Sequence, residues 1–483
     1  MIRIATLSRR FAPALLVSGA LAGCAPFTLY RCITTQDRCV SEPPCMAADE
    51  GGLESRCASS AVQVLQPASA DKPGYVLGFI EFDDQGQLWN RAQMDTVLGA
   101  VDPQTSGGAD DYLMVVFVHG WKHNAGFEGS SNRFVEDANV VNFRQALTQL
   151  SATEMEYSRR VQRPARKVIG VYLGWRGASI TTPWIENLTF WDRKNTAHKV
   201  GHGQVTEVLQ RLELIRQQRI LRNADTRSRL IVVGHSFGGA VVFSALEQVL
   251  ESRFTLTEGA RGSPAGPVQG FGNLVVLINP AFEAQLYQPL NDMSMQPKKY
   301  ADNQLPVLAI LTSEADLATK VAFPLGRWFS TWFEKQRTVQ RRNPVSDSLE
   351  QIDQHRADVD AVGHFDPYET HTLKAVPRPA APATTDVARA AAQNVDALAS
   401  TTRGWQEDAP GGRIEFPGSL LQRTPNSASR NPYLVIRVDR QLIKDHNDIW
   451  RPDIRDFITS LILISSQSKD PGERAHDQEA VKK

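Results

Sequence analysis

A serine between two glycines is the residue best placed to do chemistry in this sequence of 483 residues. It is Ser236, at the centre of the pentapeptide 234–238, which reads Gly-His-Ser-Phe-Gly. An apolar run at 230–233 comes directly before it, and small and apolar residues in a helical pattern follow it. A buried strand that turns sharply into a helix exposes a serine hydroxyl, and the flanking glycines avoid Cβ clashes. The pentapeptide alone is weak evidence, but strand, turn and helix in this order predict that Ser236 is a nucleophile. The alternative is a tight turn with an idle serine.

The elements that would position this serine are short runs of Val, Ile and Leu, mostly unbroken by polar residues. They occupy residues 113–118, 168–173, 230–233, 274–278, 307–311 and 433–438. Continuous apolar runs indicate strands that are buried on both faces, as in a parallel sheet. Helical patterns lie between most of the runs, for example at 140–150, 203–221 and 238–250. The sequence therefore predicts an α/β fold with a mostly parallel central sheet flanked by helices.

Two motifs carry a family resemblance. His-Gly-Trp at 119–121 follows one apolar run, and the serine pentapeptide follows a later one. On these motifs the chain resembles the α/β-hydrolase superfamily, on its esterase and lipase side, over about residues 75–465. The resemblance implies the α/β-hydrolase fold and a triad in the chain order serine, acid, histidine. Because His119 precedes the nucleophile, we interpret it as structural.

The resemblance also assigns the two amides that would stabilise a tetrahedral oxyanion. One is the N–H of the residue after the nucleophile, here Phe237. The other belongs to the loop after an earlier strand, here Trp121. The loop departs from the His-Gly-Gly-Gly form of the family, which leaves open a second interpretation in which the Trp121 ring walls the acyl pocket.

The acid is expected after the apolar run 307–311, where Glu314 and Asp316 could each orient a histidine. The resemblance favours Asp316, because its offset from the strand matches the acid loop of the family. For either carboxylate the alternative is a solvated loop residue or a helix cap.

The base is expected to be a histidine, because imidazole takes up and returns a proton near neutral pH. His446 follows the last apolar run and precedes an amphipathic helical pattern at 454–462, which is the place of the base in the family. His364 and His371 are the alternatives, although neither is framed by a strand and a closing helix.

The implied activity is a serine hydrolase that cleaves carboxylic esters, of a small molecule or a lipid, through Ser236, His446, Asp316 and an acyl-enzyme. The mechanism calls for neither a metal nor an organic cofactor. Two alternatives stay open: an amidase or peptidase with the same triad, and a non-catalytic scaffold of the cell envelope. The formal net charge of +0 gives a nucleic-acid partner no electrostatic support, and the sequence does not reveal the oligomeric state.

The N-terminus has the pattern of an export signal. Three arginines precede a short apolar stretch at 11–22, which is too short to span a bilayer. The stretch ends in Leu-Ala-Gly-Cys at 21–24, which resembles the bacterial lipoprotein signal, where cleavage precedes an acylated cysteine. We therefore predict a signal peptide at 1–23 and a lipid anchor on Cys24, which places the protein in the cell envelope. Since no Asp follows Cys24, the outer membrane is favoured; the alternative is an ordinary secretory signal with a chance cysteine.

Composition divides the rest of the chain. Residues 24–72 are rich in Ala, Ser and Pro and are predicted to be a tether, followed by the folded domain at 73–466. A flexible insertion is predicted at 375–415, before the last strand, because large apolar residues are almost absent there, and the tail at 467–483 is predicted to be disordered. The tether holds an even set of cysteines that predicts disulfides with three possible pairings, and no histidine lies among them to support a zinc site. These cysteines are Cys32, Cys39, Cys45 and Cys57.

Overall fold

The structure is a computed structural model that describes residues 28–33, 60–65, 74–102, 111–128, 135–178, 190–257, 266–296, 299–330, 334–343, 345–377, 387–406 and 412–466. The predicted signal peptide at 1–23, the predicted lipid anchor Cys24 and the predicted disordered tail at 467–483 lie outside these residues. Within them, no helix is both long enough and apolar enough to cross a membrane.

Most of the strands join one large sheet. The strands are β1 Val62–Leu65, β2 Tyr75–Glu81, β3 Tyr112–Val118, β4 Phe127–Glu128, β5 Val135–Glu136, β6 Lys167–Gly174, β7 Arg229–His235, β8 Leu274–Ile278, β9 Leu308–Ser313, β10 Thr338–Arg342, β11 Leu349–Asp353, β12 His371–Ala375, β13 Arg413–Phe416, β14 Ser419–Arg423 and β15 Tyr433–Val438. The main sheet has 11 strands in the order β1-β2-β6-β3-β7-β8-β9-β15-β12-β14-β13. Neighbouring strands from β2 to β12 are all parallel, and the pairs at the two ends of the sheet are antiparallel. The parallel strands therefore end at one common edge, here called the carboxyl edge.

The six apolar runs all become strands in the parallel part of this sheet, which confirms the predicted α/β class. Strands β3, β7 and β8 are buried along their whole length, as expected when helices cover both faces. The outer strands β1, β13 and β14 were not predicted. They are short and partly exposed, so their sequences carry no continuous apolar run.

Helices pack on both faces of the sheet. They are α1 Arg91–Val101, α2 Ala138–Arg160, α3 Phe190–Val200, α4 Thr206–Arg222, α5 Phe237–Thr257, α6 Ala284–Met295, α7 Phe323–Ser330, α8 Gln354–Val359, α9 Val387–Gln406 and α10 Pro452–Ser465. Helices α1, α4 and α5 contribute side chains such as Val97 and Val241 to the core on one face. Helices α2, α9 and α10 contribute Leu147, Leu398 and Leu461 to the core on the other face.

The predicted flexible insertion at 375–415 is wrong for residues 387–406, which form α9. This helix buries Val395, Leu398 and Trp405 against the domain. The Trp405 indole also donates a hydrogen bond to the Gln304 carbonyl at 2.7 Å. The helix was missed because a few large side chains, spaced for one face and separated by many alanines, give a low average hydrophobicity. A single buried face is nevertheless enough to order a helix by tertiary packing.

The predicted tether at 24–72 is wrong for residues 28–33 and 60–65, which belong to the folded domain. Strand β1 pairs antiparallel with β2 and extends the sheet by one strand. The Ala61 N–H donates to the Cys32 carbonyl at 2.7 Å, so the two segments are joined to each other. Cys32 is disulfide-bonded, and the other four cysteines lie outside the described residues.

A buried arginine explains why residues 28–33 are held in place. The Arg31 side chain has no exposed surface and donates to the Ala125 carbonyl at 2.6 Å and to the Glu136 carboxylate at 2.9 Å. The backbone N–H groups of Tyr30 and Arg31 donate in turn to the Glu81 carboxylate, at 3.0 and 2.8 Å. Burial raises the pKa of Glu81, although these hydrogen bonds work in the opposite direction. A buried carboxylate in the domain thus receives its donors from the N-terminal segment.

Candidate active site

Ser236 lies in the sharp turn between β7 and α5 at the carboxyl edge. Its φ of 56° falls in the left-handed region, which is uncommon for a residue with a Cβ. The glycines on either side permit this turn. A Cβ on Gly234 would lie 2.6 Å from the Gly238 carbonyl oxygen, and one on Gly238 would overlap the Val118 carbonyl. Only glycine fits at these two positions, which is the physical reason for the pentapeptide.

A histidine and an aspartate are hydrogen-bonded to this serine in series. His446 Nε2 lies 2.6 Å from Ser236 Oγ, and His446 Nδ1 lies 2.9 Å from Asp316 Oδ2. With the ring proton on Nδ1 and directed at the carboxylate, Nε2 accepts the hydrogen bond from the hydroxyl. Ser236 is 3% exposed and Asp316 is fully buried, whereas the His446 side chain is 17% exposed, so the imidazole borders solvent.

Asp316 is held in its orientation by the first turn of the helix that follows it. Its Oδ1 accepts from the backbone N–H of Ala318 at 3.0 Å, and its Oδ2 accepts from the Thr319 hydroxyl at 2.5 Å. Burial alone would raise the pKa of Asp316, but the hydrogen bond and charge of His446, together with the bonds from Thr319, hold it below the ordinary value. Asp316 is therefore a carboxylate at neutral pH. Glu314, the alternative acid, is exposed.

Neither alternative histidine reaches the serine. His364 lies on the far side of Asp316, where its Nε2 is 3.0 Å from Thr319 Oγ1. Burial lowers the pKa of His364 to about 4, so the ring is neutral and donates to Thr319, which donates to Asp316. His371 lies within β12 and is bonded to the hydroxyl of Thr370, with a pKa lowered by burial to about 3.

The loop that carries His446 is fixed through its backbone. The His446 carbonyl accepts from His235 Nε2 at 2.9 Å and from Asn279 Nδ2 at 3.0 Å. Burial lowers the pKa of His235 to about 3, so this ring is neutral and its one proton is used in that bond. Ser313 Oγ donates to the Ile443 carbonyl at 2.6 Å and anchors the same loop further upstream. Side chains from the ends of β7, β8 and β9 therefore set the position of the imidazole.

The loop after β3 lies directly against the serine. A Cβ on Gly120 would be 2.7 Å from the Cβ of Ser236, so only glycine allows this approach. His119 braces the loop: its Nδ1 donates to the Gly120 carbonyl at 2.9 Å, and its Nε2 accepts from the Trp175 N–H at 3.0 Å. Burial lowers the pKa of His119 to about 4, in agreement with a neutral ring that has one donor and one acceptor.

The two amides assigned to oxyanion stabilisation flank this contact. Trp121 follows Gly120, and Phe237 opens α5 next to Ser236. Among the described residues, neither backbone N–H has a hydrogen-bond acceptor. The Trp121 ring packs edge-on against Phe190 at 5.3 Å between centroids, and Phe190 lies 4.9 Å from Phe237. Trp121 thus offers both an amide and an aromatic wall.

A hydroxyl, an imidazole and a carboxylate bonded in series can activate the hydroxyl as a nucleophile, since the imidazole accepts its proton and the carboxylate stabilises the cation. Within the described residues, no group of three or more His, Cys, Asp and Glu side chains is arranged to hold a metal ion. Sequence reasoning missed the residues that position the triad by hydrogen bonds to the His446 carbonyl and to the Asp316 carboxylate, namely His235, Asn279 and Thr319. Only His235 carried a signal, because it lies inside the serine pentapeptide.

Comparison with protein-family models, with curated proteins and with solved structures gives no match to this chain. The protein is therefore defined by its architecture, an α/β protein with a mostly parallel central sheet, and by the geometry of the residues at its carboxyl edge.

Proposed function

We propose that this protein is a serine hydrolase of the α/β-hydrolase type, with Ser236 as nucleophile, His446 as base and Asp316 as acid. The observation that carries the proposal is the unbroken series of hydrogen bonds from Ser236 Oγ through the His446 ring to Asp316, at 2.6 and 2.9 Å. The left-handed turn at Ser236 supports it, because strained backbone at a nucleophile is typical of this class.

In the proposed reaction, Ser236 Oγ attacks an acyl carbonyl while its proton passes to His446 Nε2. Asp316 keeps the other ring nitrogen protonated and stabilises the imidazolium. The amides of Phe237 and Trp121 donate to the oxyanion, and the imidazolium then protonates the leaving group. Water activated by the same ring hydrolyses the acyl-enzyme and restores the serine.

Carboxylic esters are the proposed substrate class, from a small molecule or a lipid. An alkoxide leaves more easily than an amide nitrogen, and the aromatic rings of Trp121, Phe190 and Phe237 offer an apolar surface for an acyl group. The proposed location is the cell envelope, with the lipid anchor on Cys24 carried over from the N-terminal sequence pattern.

The test is covalent labelling with a fluorophosphonate probe, together with hydrolysis of a panel of chromogenic esters and amides. We expect labelling of the wild type, none of Ser236→Ala, and ester turnover reduced by about 10⁴-fold or more in Ser236→Ala and His446→Ala. Ser244→Ala is the matched control, because Ser244 also bonds a histidine, with His198 Nδ1 at 2.8 Å, and should label like the wild type.

Unlabelled wild-type protein would favour a scaffold without turnover. Turnover of amides in preference to esters would move the proposal to an amidase. An inactive His364→Ala beside an active His446→Ala would show that the base is assigned to the wrong histidine.

A further inference from the structure

Four large apolar side chains are exposed on one side of the segment that follows Asp316. Leu317 is 67% exposed, Val321 48%, Leu325 62% and Trp328 47%. Leu317 directly precedes the π-helical turn Ala318–Ala322, Val321 lies on that turn, and Leu325 and Trp328 lie on α7. Intervals of three or four residues are about one helical turn, so the four side chains share a face. We call this set the apolar stripe. Single exposed apolar residues are ordinary, but a continuous set marks a surface that contacts something apolar.

The opposite face of the same helix is firmly attached to the domain. Phe323 is completely buried. Arg327 pairs with Glu283 at 2.8 Å and with Asp358 at 2.6 Å, and the buried Lys194 pairs with the same glutamate. The stripe is therefore presented outward by a helix that is fixed on its inner side.

The stripe lies at the carboxyl edge of the sheet. Leu317 follows Asp316 directly, and Asp316 follows the carboxyl end of β9. Because β7 and β9 are both parallel neighbours of β8, Ser236 lies at this same edge. Whatever the stripe contacts is therefore brought to the side of the molecule that holds the candidate active site.

Exposed cations outnumber exposed acidic side chains in the chain around the stripe. Between residues 314 and 343 the exposed cations are Lys320, Lys335, Arg337 and Arg342, and the exposed acidic residues are Glu314 and Glu334. The formal net charge of the whole chain is +0, so this is a local excess. Apolar side chains with exposed cations beside them are the composition that binds the interface of an anionic bilayer.

The N-terminal segment reaches the domain at the same edge. Tyr30 and Arg31 donate to Glu81, the last residue of β2. Thr28 lines a small cavity with Phe82 and Trp175, which follow the carboxyl ends of β2 and β6. Four peptide units separate Thr28 from Cys24, and they span at most about 14 Å. A lipid on Cys24 would therefore hold the carboxyl edge close to the membrane.

We propose that the apolar stripe and its flanking cations form a docking surface for an anionic lipid bilayer, which holds the carboxyl edge against the membrane. The substrate class that follows rests on the proposed hydrolase function: the esters within reach of Ser236 are those of membrane lipids or lipid-linked molecules.

The experiment measures co-sedimentation of the chain 25–483, which contains every described residue, with vesicles of phosphatidylcholine and phosphatidylglycerol. All proteins carry Ser236→Ala, so that binding is measured without turnover. We expect the double variant Val321→Glu, Leu325→Glu to bind at least ~10-fold more weakly than the parent, since it removes two apolar side chains and adds two negative charges at the interface.

The matched control is Leu221→Glu, Leu256→Glu, which adds the same charges at positions 85% and 81% exposed. These residues lie near the carboxyl ends of α4 and α5, helices that lead back to the opposite edge of the sheet, and this variant should bind vesicles like the parent. Equal binding by both double variants, or no binding by the parent, would overturn the proposal. A parent that is a dimer and a stripe variant that is a monomer would overturn it in favour of a contact between two copies of the chain. Because Ser236 is absent from all these proteins, the result is independent of the labelling experiment that tests the hydrolase.

Discussion

Ser236 adopts a backbone conformation that its Cβ disfavours, and its hydroxyl is hydrogen-bonded to His446. A left-handed φ such as its 56° costs a residue with a Cβ about 1–2 kcal/mol, and glycine avoids this cost. The surrounding hydrogen bonds hold the turn: the Ser236 N–H donates to the Ile278 carbonyl, and the Ser236 carbonyl accepts from Gly239 and Ala281. The strained turn therefore lowers stability at Ser236 and directs the Ser236 side chain at His446.

This strain predicts an order of stability for two variants of Ser236. The free energy of unfolding of Ser236→Gly should be about 1 kcal/mol higher than that of Ser236→Ala, because glycine relieves the strain and alanine retains it. Urea denaturation of the two proteins measures the difference. At Ser244, within the regular helix α5, the order should reverse, with glycine about 1 kcal/mol less stable than alanine. The same order at both positions would contradict the assignment of strain to the turn.

At this scale the sequence was informative where a residue has a recognisable place beside a strand or a helix. Ser236 was predicted from the strand and helix around it, and Asp316 and His446 from the places that the resembled family gives to its acid and its base. The structure joins the three side chains by hydrogen bonds. The contacts of Asn279 and Thr319 were not predicted. The bond from Asn279 to the His446 carbonyl depends on which strands are neighbours in the sheet, and a single sequence does not state strand order. The bond from Thr319 to Asp316 spans three residues and is local, but neither residue type nor spacing marks it in the sequence.

Helices and strands at the two ends of the sheet depart most from the sequence expectations. The parallel strands were predicted because burial on both faces leaves an unbroken apolar run. Strand β1 and helix α9 bury one face only, and their apolar residues are few and widely spaced. Many exposed segments have equally few and widely spaced apolar residues. That β1 and α9 are folded therefore becomes evident only from the surfaces that they cover in the structure.

The segment 28–33 is attached to the domain through backbone hydrogen bonds and through one buried side chain. Arg31 is completely buried, pairs with Glu136 and lies 4.1 Å from the Phe79 ring centroid. Arg31→Ala should lower the free energy of unfolding by about 3 kcal/mol, because a buried ion pair loses one partner and a cavity remains. Urea denaturation measures this change. The control is Arg91→Ala in the exposed pair with Glu207, which should leave the midpoint unchanged. Equal midpoints for Arg31→Ala and wild type would show that the Arg31 side chain does not stabilise the domain.

On the scale of the whole molecule, buried histidines link the stability of the fold to pH. His371 is an example far from the triad: burial lowers its pKa in the folded chain to about 3, against an ordinary value of about 6.5. As the pH falls below about 6.5, the unfolded chain binds a proton at this position that the folded chain rejects. The stability associated with a neutral His371 is therefore complete above that pH and is lost as the pH falls.

A comparison of His371→Gln with the wild type separates this effect from the titration of all other groups. From pH 6.5 towards pH 4, the stability of His371→Gln relative to wild type should rise by about 1.4 kcal/mol per pH unit, because only the wild type carries the penalty. Urea denaturation at a series of pH values measures both curves. His355→Gln, at an exposed position, serves as the control and should run parallel to wild type. A His371→Gln curve that is also parallel would contradict a neutral buried imidazole.

The position of β15 in the sheet has a consequence for the order of events during synthesis. This strand is the last one among the described residues, yet it lies between β9 and β12, which are both made earlier. The imidazole of His446 comes only eight residues after the strand ends. A nascent chain therefore contains the hydroxyl of residue 236 long before it contains the imidazole of residue 446. On the proposed function, it becomes able to hydrolyse an ester only after β15 and the loop that follows it have been synthesised.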